Sequence, residues 1–174
     1  MPQPCYLRIS GQNQGLITRN AGSSDSVGDR VVEVHQDEIL VQSVSHVVVT
    51  PTDIQSGSPT GRRIHGALKV TCEITSALPL LYNALCQGEV LNEVVLDWYR
   101  ISLSGTQERF FSTELTNARL SNVQVYLPDS REAKAKYFNQ FVNLFFTYRK
   151  IEWAHHAAGT YGADDWRTPL EADT

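Results

Sequence analysis

The sequence is poor in cysteine, with only Cys5, Cys72 and Cys86 among 174 residues. An odd count at low density, with no short-spaced cluster, excludes a disulfide framework and points to folding in a reducing compartment. Positive charge is scarce too: 15 Lys and Arg against 19 Asp and Glu leave a formal charge of −4 and a pI near 5.7. No basic stripe is left to neutralise nucleic-acid phosphates or anionic lipid, so nucleic acid is not an expected partner. There is no apolar run of about 18 residues, and therefore no expected membrane insertion by a helix. The start, "MPQPCYLRIS", lacks the basic residues and the apolar run of about 7–15 that a secretory signal needs. A route out of the cell would have to be a different one. Repeats, low-complexity tracts and Pro/Ser-rich linkers are also missing, which argues for one domain.

What is present is a two-residue apolar rhythm. In "ALKVTCEI", Leu68, Val70, Cys72 and Ile74 alternate with Lys69, Thr71 and Glu73, the pattern of a half-buried strand. Extended patterns recur at Cys5 to Ile9, Arg30 to His35, Ile39 to Thr50, Val90 to Leu103, Glu108 to Leu115, Ala118 to Leu127 and Tyr137 to Ile151, making eight predicted strands. Ser104 to Thr106 ("SGT") and Thr116 to Ala118 ("TNA") are short enough to be hairpin turns. The last pattern places Phe138, Val142, Leu144, Phe146 and Tyr148 on one side and Phe141, Phe145 and Ile151 on the other, so both faces of that strand should be covered. One short amphipathic helix is predicted in "TSALPLLYNALCQGE", with Ser76 as N-cap, Pro79 in the first turn, Leu78, Leu81, Tyr82 and Leu85 on one face and Gly88 as the stop. The expected fold is mainly β: a single antiparallel β-barrel-like domain with one flanking α-helix, because closure removes unpaired strand edges. That domain spans 1–153, and 154–174 form a C-terminal tail of the same domain or its rim, with no strand or helix period of its own.

Constellations for chemistry are weak. His155 and His156 with Asp164 and Asp165 have metal-ligand chemistry, but adjacent residues of an extended chain point apart and no spacing fixes a third ligand. There is no G-x-S-x-G elbow and no catalytic cysteine context. Asp37, Glu38, Glu93, Asp97 and Glu114 are not placed across a cleft by any pattern, and "GQNQG" from Gly11 to Gly15 reads as a turn rather than a phosphate loop. No catalytic residue, metal or cofactor is expected.

The unusual stretch is "TPTDIQSGSPTGRRIHG", Thr50 to Gly66, between two predicted strands. Structureless connections beyond roughly 12–15 residues are uncommon in compact domains unless they serve a purpose. Gly57 and Gly61 are expected to supply positive φ, and Pro59 fixes its own φ. Arg62 and Arg63 offer charge to a second copy, for which Asp37 and Glu38 or the acidic tail would serve, but exposed ion pairs are worth only about 0–1 kcal/mol each. Ile54 and Ile64, apolar in an otherwise polar loop, are what favour a docking arm.

Four stretches together resemble one family: "PCYLRISGQNQG", "SVGDRVVEVHQDEILVQSVSHVV", "PLLYNALCQGEVL" and "YRKIEWAHHAAGTYGADDWR". They are similar, in order and spacing and over nearly the whole chain, to Hcp, the haemolysin-coregulated protein of bacterial type VI secretion systems, of the enteric kind. The resemblance implies a non-enzymatic structural subunit: six barrels close into a ring and rings stack into a tube inside a contractile sheath, with a spike at its tip. It implies a protein that is cytoplasmic before assembly and then exported without a signal peptide, small effector proteins riding protected in the ring lumen. Thr50 to Gly66 matches the family's ring-stacking arm, with Thr50, Asp53, Ile54, Gly57, Pro59, Arg62, Arg63 and Ile64 as its expected working residues. Ser43 matches a small polar residue facing the lumen, and Ser45, two residues on, should share that face as an effector contact. The competing expectation, from a different class, is a monomeric β-barrel holding a small ligand in its own interior.

Overall fold

The computed structural model describes residues 3–132 and 140–168. Tyr137, Phe138 and Leu170 lie outside the described residues. Its sheet is built from strands whose apolar residues recur at every second position, which puts them on one face of the pleat. In β1 (Cys5–Gly11) Cys5, Leu7 and Ile9 are buried. β1 lies antiparallel between β3 (Ile39–Ser45) and β7 (Leu91–Ile101), with Leu7 opposite Ile39 on one side and Leu96 on the other. β3 pairs with β6 (Leu68–Glu73), and β6 with β9 (Phe141–Thr147). β9 pairs with the second half of β8 (Gln107–Tyr126), whose first half pairs with β7. The ladder closes on itself as an antiparallel barrel, so these strands offer no open row of backbone donors and acceptors.

Fully buried Phe146, Leu7, Ile9, Leu68, Leu96 and Leu144 belong to one continuous core. Each such side chain contributes about 1.5–3 kcal/mol by leaving water. The interior is filled by side chains, which removes the physical basis for a ligand-holding barrel. β2 (Gly15–Leu16) folds back on β1, and a hairpin of β10 (Lys150–His155) and β11 (Thr160–Asp165) extends the sheet from the first half of β8. A helical turn α1 (Ser24–Val27) precedes β3, and the flanking helix α2 (Leu78–Gln87) packs against β8, burying Leu81 and Ala84.

Several expectations are corrected here. Arg30 to His35 is not a strand but part of two 3-10 turns, Gly28–Arg30 and Glu33–His35. Its valines are β-branched, yet Val34 stays exposed, while the His35 ring stacks on Tyr6 at 3.7 Å. Thr116 to Ala118 is not a turn: the β7 ladder keeps register from Glu93 opposite Thr116 to Leu91 opposite Ala118, and Asn117 takes φ 50 between them. The two predicted strands are therefore one. The extended stretch from Ile39 divides after Ser45, and the last pattern divides at Tyr148 and Arg149, so Ile151 belongs to a new strand and enters the core. The tail carries β11, whose edge position needs no apolar alternation. Ser76 is not the N-cap; the helix starts after Ala77, whose N–H donates to the Thr75 hydroxyl (3.3 Å). Pro79 does sit in the first turn and Gly88 does end the helix at φ 63, a left-handed conformation that favours glycine.

Candidate functional site: the arm, its root and a polar barrel wall

β3 ends at Ser45, and the chain leaves the barrel as a hairpin of its own. β4 (Val48–Val49) pairs with β5 (Ile64–His65), with Val48 opposite His65 and Val49 opposite Ile64. Farther out, Thr52 bridges Pro59, and the Thr60 N–H donates to Pro51 O (2.8 Å). The tip is organised by Asp53. Its carboxylate accepts from the N–H groups of Gln55 (2.7 Å) and Ser56 (3.3 Å), and its carbonyl accepts from Gly57 (2.8 Å), where φ is 71. The long connection is thus an ordered two-stranded arm. Val47, Val48, Val49 and Ile64 are exposed and Ile54 fully so, at 101%. Clustered exposed aliphatics mark an interaction surface.

The root of the arm has the opposite character, polar and buried. Arg63 donates to both carboxylate oxygens of Asp164, through Nε (2.5 Å) and Nη2 (2.7 Å), and also to the carbonyls of Asp165 and Thr168. His65, with a side chain 2% exposed, lies 2.6 Å from Asp164 through Nε2 and 2.7 Å from the Tyr148 hydroxyl through Nδ1. The same hydroxyl meets His46 Nε2 at 2.6 Å. A carboxylate only accepts, so Nε2 of His65 donates to it. In the neutral ring Nδ1 then accepts from Tyr148, whose oxygen accepts from His46. The Trp166 indole donates to Tyr148 O (2.5 Å) and closes the root from β11's side.

These contacts fix the ionisation of the root. The Arg63 guanidinium, donating directly, holds the Asp164 carboxyl below the usual carboxylate range against the opposing effect of burial, and His65 adds to the lowering. Burial pushes the His46 pKa down, and so does neighbouring His65. Burial pushes Tyr148 up, with Asp164 contributing. The expectation that Arg63 reserves its charge for a second copy is corrected: its partner is Asp164 of the same chain. Arg62 is exposed and has no partner among the described residues.

On the barrel wall, Ser43 and Ser45 are both exposed. A register shift between Val41 and Ser43 leaves Gln42 and Ser43 both outward, then returns Val44 to the core side. The ladder sets Ser43 beside Thr71, Thr71 beside Asn143, and Asn143 beside Gln124, a polar row across four strands. Thr71 donates to Asn143 (2.7 Å), which donates to Gln124 (3.3 Å). In the next row Ser45 stands beside Lys69, whose ammonium lies 5.7 Å from the centre of the Phe145 ring. This wall is a hydrated sheet face, and the complement of the apolar alternation was the signal for its members beyond the serines.

The other candidates have local partners. His156 Nε2 pairs with Ser112 (2.8 Å), His155 Nδ1 accepts from the Ala158 N–H (3.0 Å), and Asp165 accepts from Arg149 (3.2 Å). Asp37 accepts from the Asn20 N–H, Glu38 pairs with His35, Glu93 with Arg8 and Asp97 with Arg109. Glu114 faces Glu152 across the ladder, and burial first, then Glu93 and Glu152, raises its pKa. The "GQNQG" turn does hold an anion, but an internal one: Glu89 accepts from the N–H groups of Asn13 (2.6 Å) and Gln14 (2.7 Å) and from the Gln14 side chain (2.6 Å). A Cβ on Gly11 would lie 2.5 Å from that carboxylate. Burial alone would raise the Glu89 pKa, yet the donors of Gln14 and Asn13 bring it below the usual value.

Residues 6–155 match the family model described as "Type VI secretion system effector, Hcp". A "Major exported protein" of Pseudomonas aeruginosa is 42% identical over 170 residues, 98% of this chain and 99% of its own length. Among solved structures, one described as "Crystal structure of Hcp protein" superimposes with TM-score 0.90 at 41% identity, covering 97% of this chain and 100% of that one. A secreted Hcp protein from Pseudomonas aeruginosa follows with TM-score 0.81 and 38% identity, covering 96% of this chain and all of its own.

Proposed function

The chain belongs to the Hcp family of type VI secretion effectors, and from that premise we propose that it is a structural subunit of the secretion tube. Six copies close laterally into a ring, rings stack axially, and the tube is exported with its spike from within the sheath. The relative's printed name, an exported protein, supports that route. The observation that carries the reading is the arm: an ordered hairpin that exposes Val48, Val49, Ile54 and Ile64 instead of folding them onto its own barrel. A head-to-tail contact between identical subunits closes into a ring or repeats as a filament according to its rotation. Barrel flanks suit the closing contact and the arm suits the axial one.

The polar wall of Ser43, Thr71, Asn143 and Gln124 is the lumen face, where small effector proteins are held and shielded before export. A hydrated face of serine, threonine and amides grips folded cargo through hydrogen bonds without trapping it, which suits a carrier that must release. No reactive side chain is asked to act.

Sedimentation and negative-stain imaging test this reading. Dilute protein should consist of rings with an open centre, and concentrated protein should add tubes. Ile54→Ser should leave rings intact and lower tube yield by at least about tenfold, because every copy in a ring loses a buried aliphatic contact worth about 1.5–3 kcal/mol. Lone subunits at every concentration would overturn it.

A further inference from the structure

β3 and β6 carry the arm at one end and a cavity at the other. The arm leaves β3 at Ser45 and rejoins the barrel at Leu68, while Leu40, Glu73 and Thr75 toward the far ends, with Gln42 midway along β3, line a cavity of about 60 Å³. Tyr6, Val27 and Val32 give it a mainly apolar surface under the turns that precede β3, with Arg30, His35 and Glu38 also in its lining, and Val32 and Leu40 are exposed. Room for a water needs only about 10–15 Å³ on this measure, so the end of an aliphatic side chain fits.

We propose that this cavity is the socket that receives the arm tip of a second copy in the adjoining ring, with Ile54 as the inserted side chain. This rests on the arm being the stacking element. Three observations favour that occupant. The fully exposed isoleucine and the empty apolar notch sit at opposite ends of the same strand pair, so rings stacked in one direction bring them together. The stretch 25–38 beside the socket holds Asp25, Asp29, Glu33, Asp37 and Glu38 against Arg30 alone, whereas the arm brings Arg62 and Arg63 against Asp53. Arg63 is engaged at the root, which leaves Arg62 to face that acidic rim. A contact between unlike ends also leaves arms free at one end of a stack and sockets free at the other, so growth continues. Arms meeting arms would stop at two rings.

Disulfide trapping tests the socket. In a Cys86→Ala background, which removes the exposed thiol and keeps the buried Cys5 and Cys72, Ile54→Cys is combined with Val32→Cys. The protein is concentrated until tubes are visible, then oxidised with copper phenanthroline and run on a non-reducing gel. The expected result is a ladder of covalent multimers from the double variant in tubes, absent from either single variant and from dilute rings. Tubes without a ladder overturn the socket while leaving the arm reading standing. A covalent dimer from Ile54→Cys alone means that arms meet arms, and also overturns it. If the unaltered chain forms rings but no tubes at any concentration, the arm reading falls and the socket with it. As an independent check, Leu40→Glu places a carboxylate at the mouth. It should leave ring sedimentation unchanged and cut tube yield at least about tenfold, since every socket of a ring is altered, and an undiminished yield counts against the socket.

Discussion

Tyr148→Phe removes a single oxygen from the root of the arm, and the structure allows its effect to be worked out. Tyr148 is 5% exposed, and its hydroxyl is the shared partner of His46 (2.6 Å) and His65 (2.7 Å). The aromatic ring remains, so apolar packing is unchanged and only polar contacts are lost. Two hydrogen bonds disappear, each worth about 0.5–1.5 kcal/mol net, and a buried nitrogen left unsatisfied costs about 1–3 kcal/mol. His46 is half-buried and turns to water, so its share lies at the low end, whereas the His65 side chain is enclosed. The expected loss is about 2 kcal/mol. In a domain of this size that lowers Tm by about 4–8 °C if the arm unfolds together with the barrel. If the arm opens first, the loss appears instead as faster hydrogen exchange of 46–66, including the Gly66 N–H that donates to Val47 O. Thermal unfolding and exchange are therefore measured on the same dilute sample, with β1 and β7 as internal controls. A Tm within about 1 °C of the parent together with unchanged exchange across the arm would refute the idea that this relay holds the root.

Acid should act at the same place. His46 has its pKa lowered by folding, so between that value and the ordinary value near 6.5 the unfolded state binds more protons and stability falls as pH falls. His46 stands at the root of the arm, so arm exchange should rise as pH falls below about 6.5 while the barrel stays protected. Asp164 adds a second loss in more acid solution, since its lowered pKa gives stability that is present above the ordinary carboxylate range and is lost on descending through it. Glu89→Gln replaces one acceptor with a donor facing the Asn13 and Gln14 donors, and should cost about 1.5–3 kcal/mol in urea unfolding; an unchanged midpoint would show that the turn does not need its carboxylate. Ser43→Trp should leave rings intact and reduce the effector protein that co-purifies with them, and unchanged retention would remove Ser43 from the lumen face.

Local signals were legible and non-local ones were not. Alternation at Cys5 to Ile9 and Leu68 to Ile74 revealed strands because one face of each is core, and Gly88 marked the helix end because its backbone adopts positive φ there. Alternation misled at Val31, Val32 and Val34, where β-branched residues have no ladder partner and the chain curls to cover Tyr6. It was silent at Thr160 to Asp165, an edge strand whose order comes from β10 rather than from its own side chains. The arm stood out by length and by its two isoleucines. Its root did not, because His46, His65, Tyr148 and Asp164 stand on four different segments and meet only after the barrel has closed; no spacing along the chain encodes that meeting.

The contrast between a polar root and an apolar tip follows from what each must do. From His46 to Ile54 the arm spans eight residues, about 26 Å at 3.3 Å per residue. A tilt of about 10° at the root would move the tip by about 4.5 Å, more than the reach of a good van der Waals contact. A root held by apolar contacts, which are non-directional, would permit that tilt, whereas hydrogen bonds weaken steeply as their angle opens. On the proposed stacking role, Arg63, His65 and Tyr148 aim the arm, and Ile54 supplies the contact once aimed. It follows that loosening the root should lower tube yield more than it lowers ring stability, because aiming matters only to the partner at the far end.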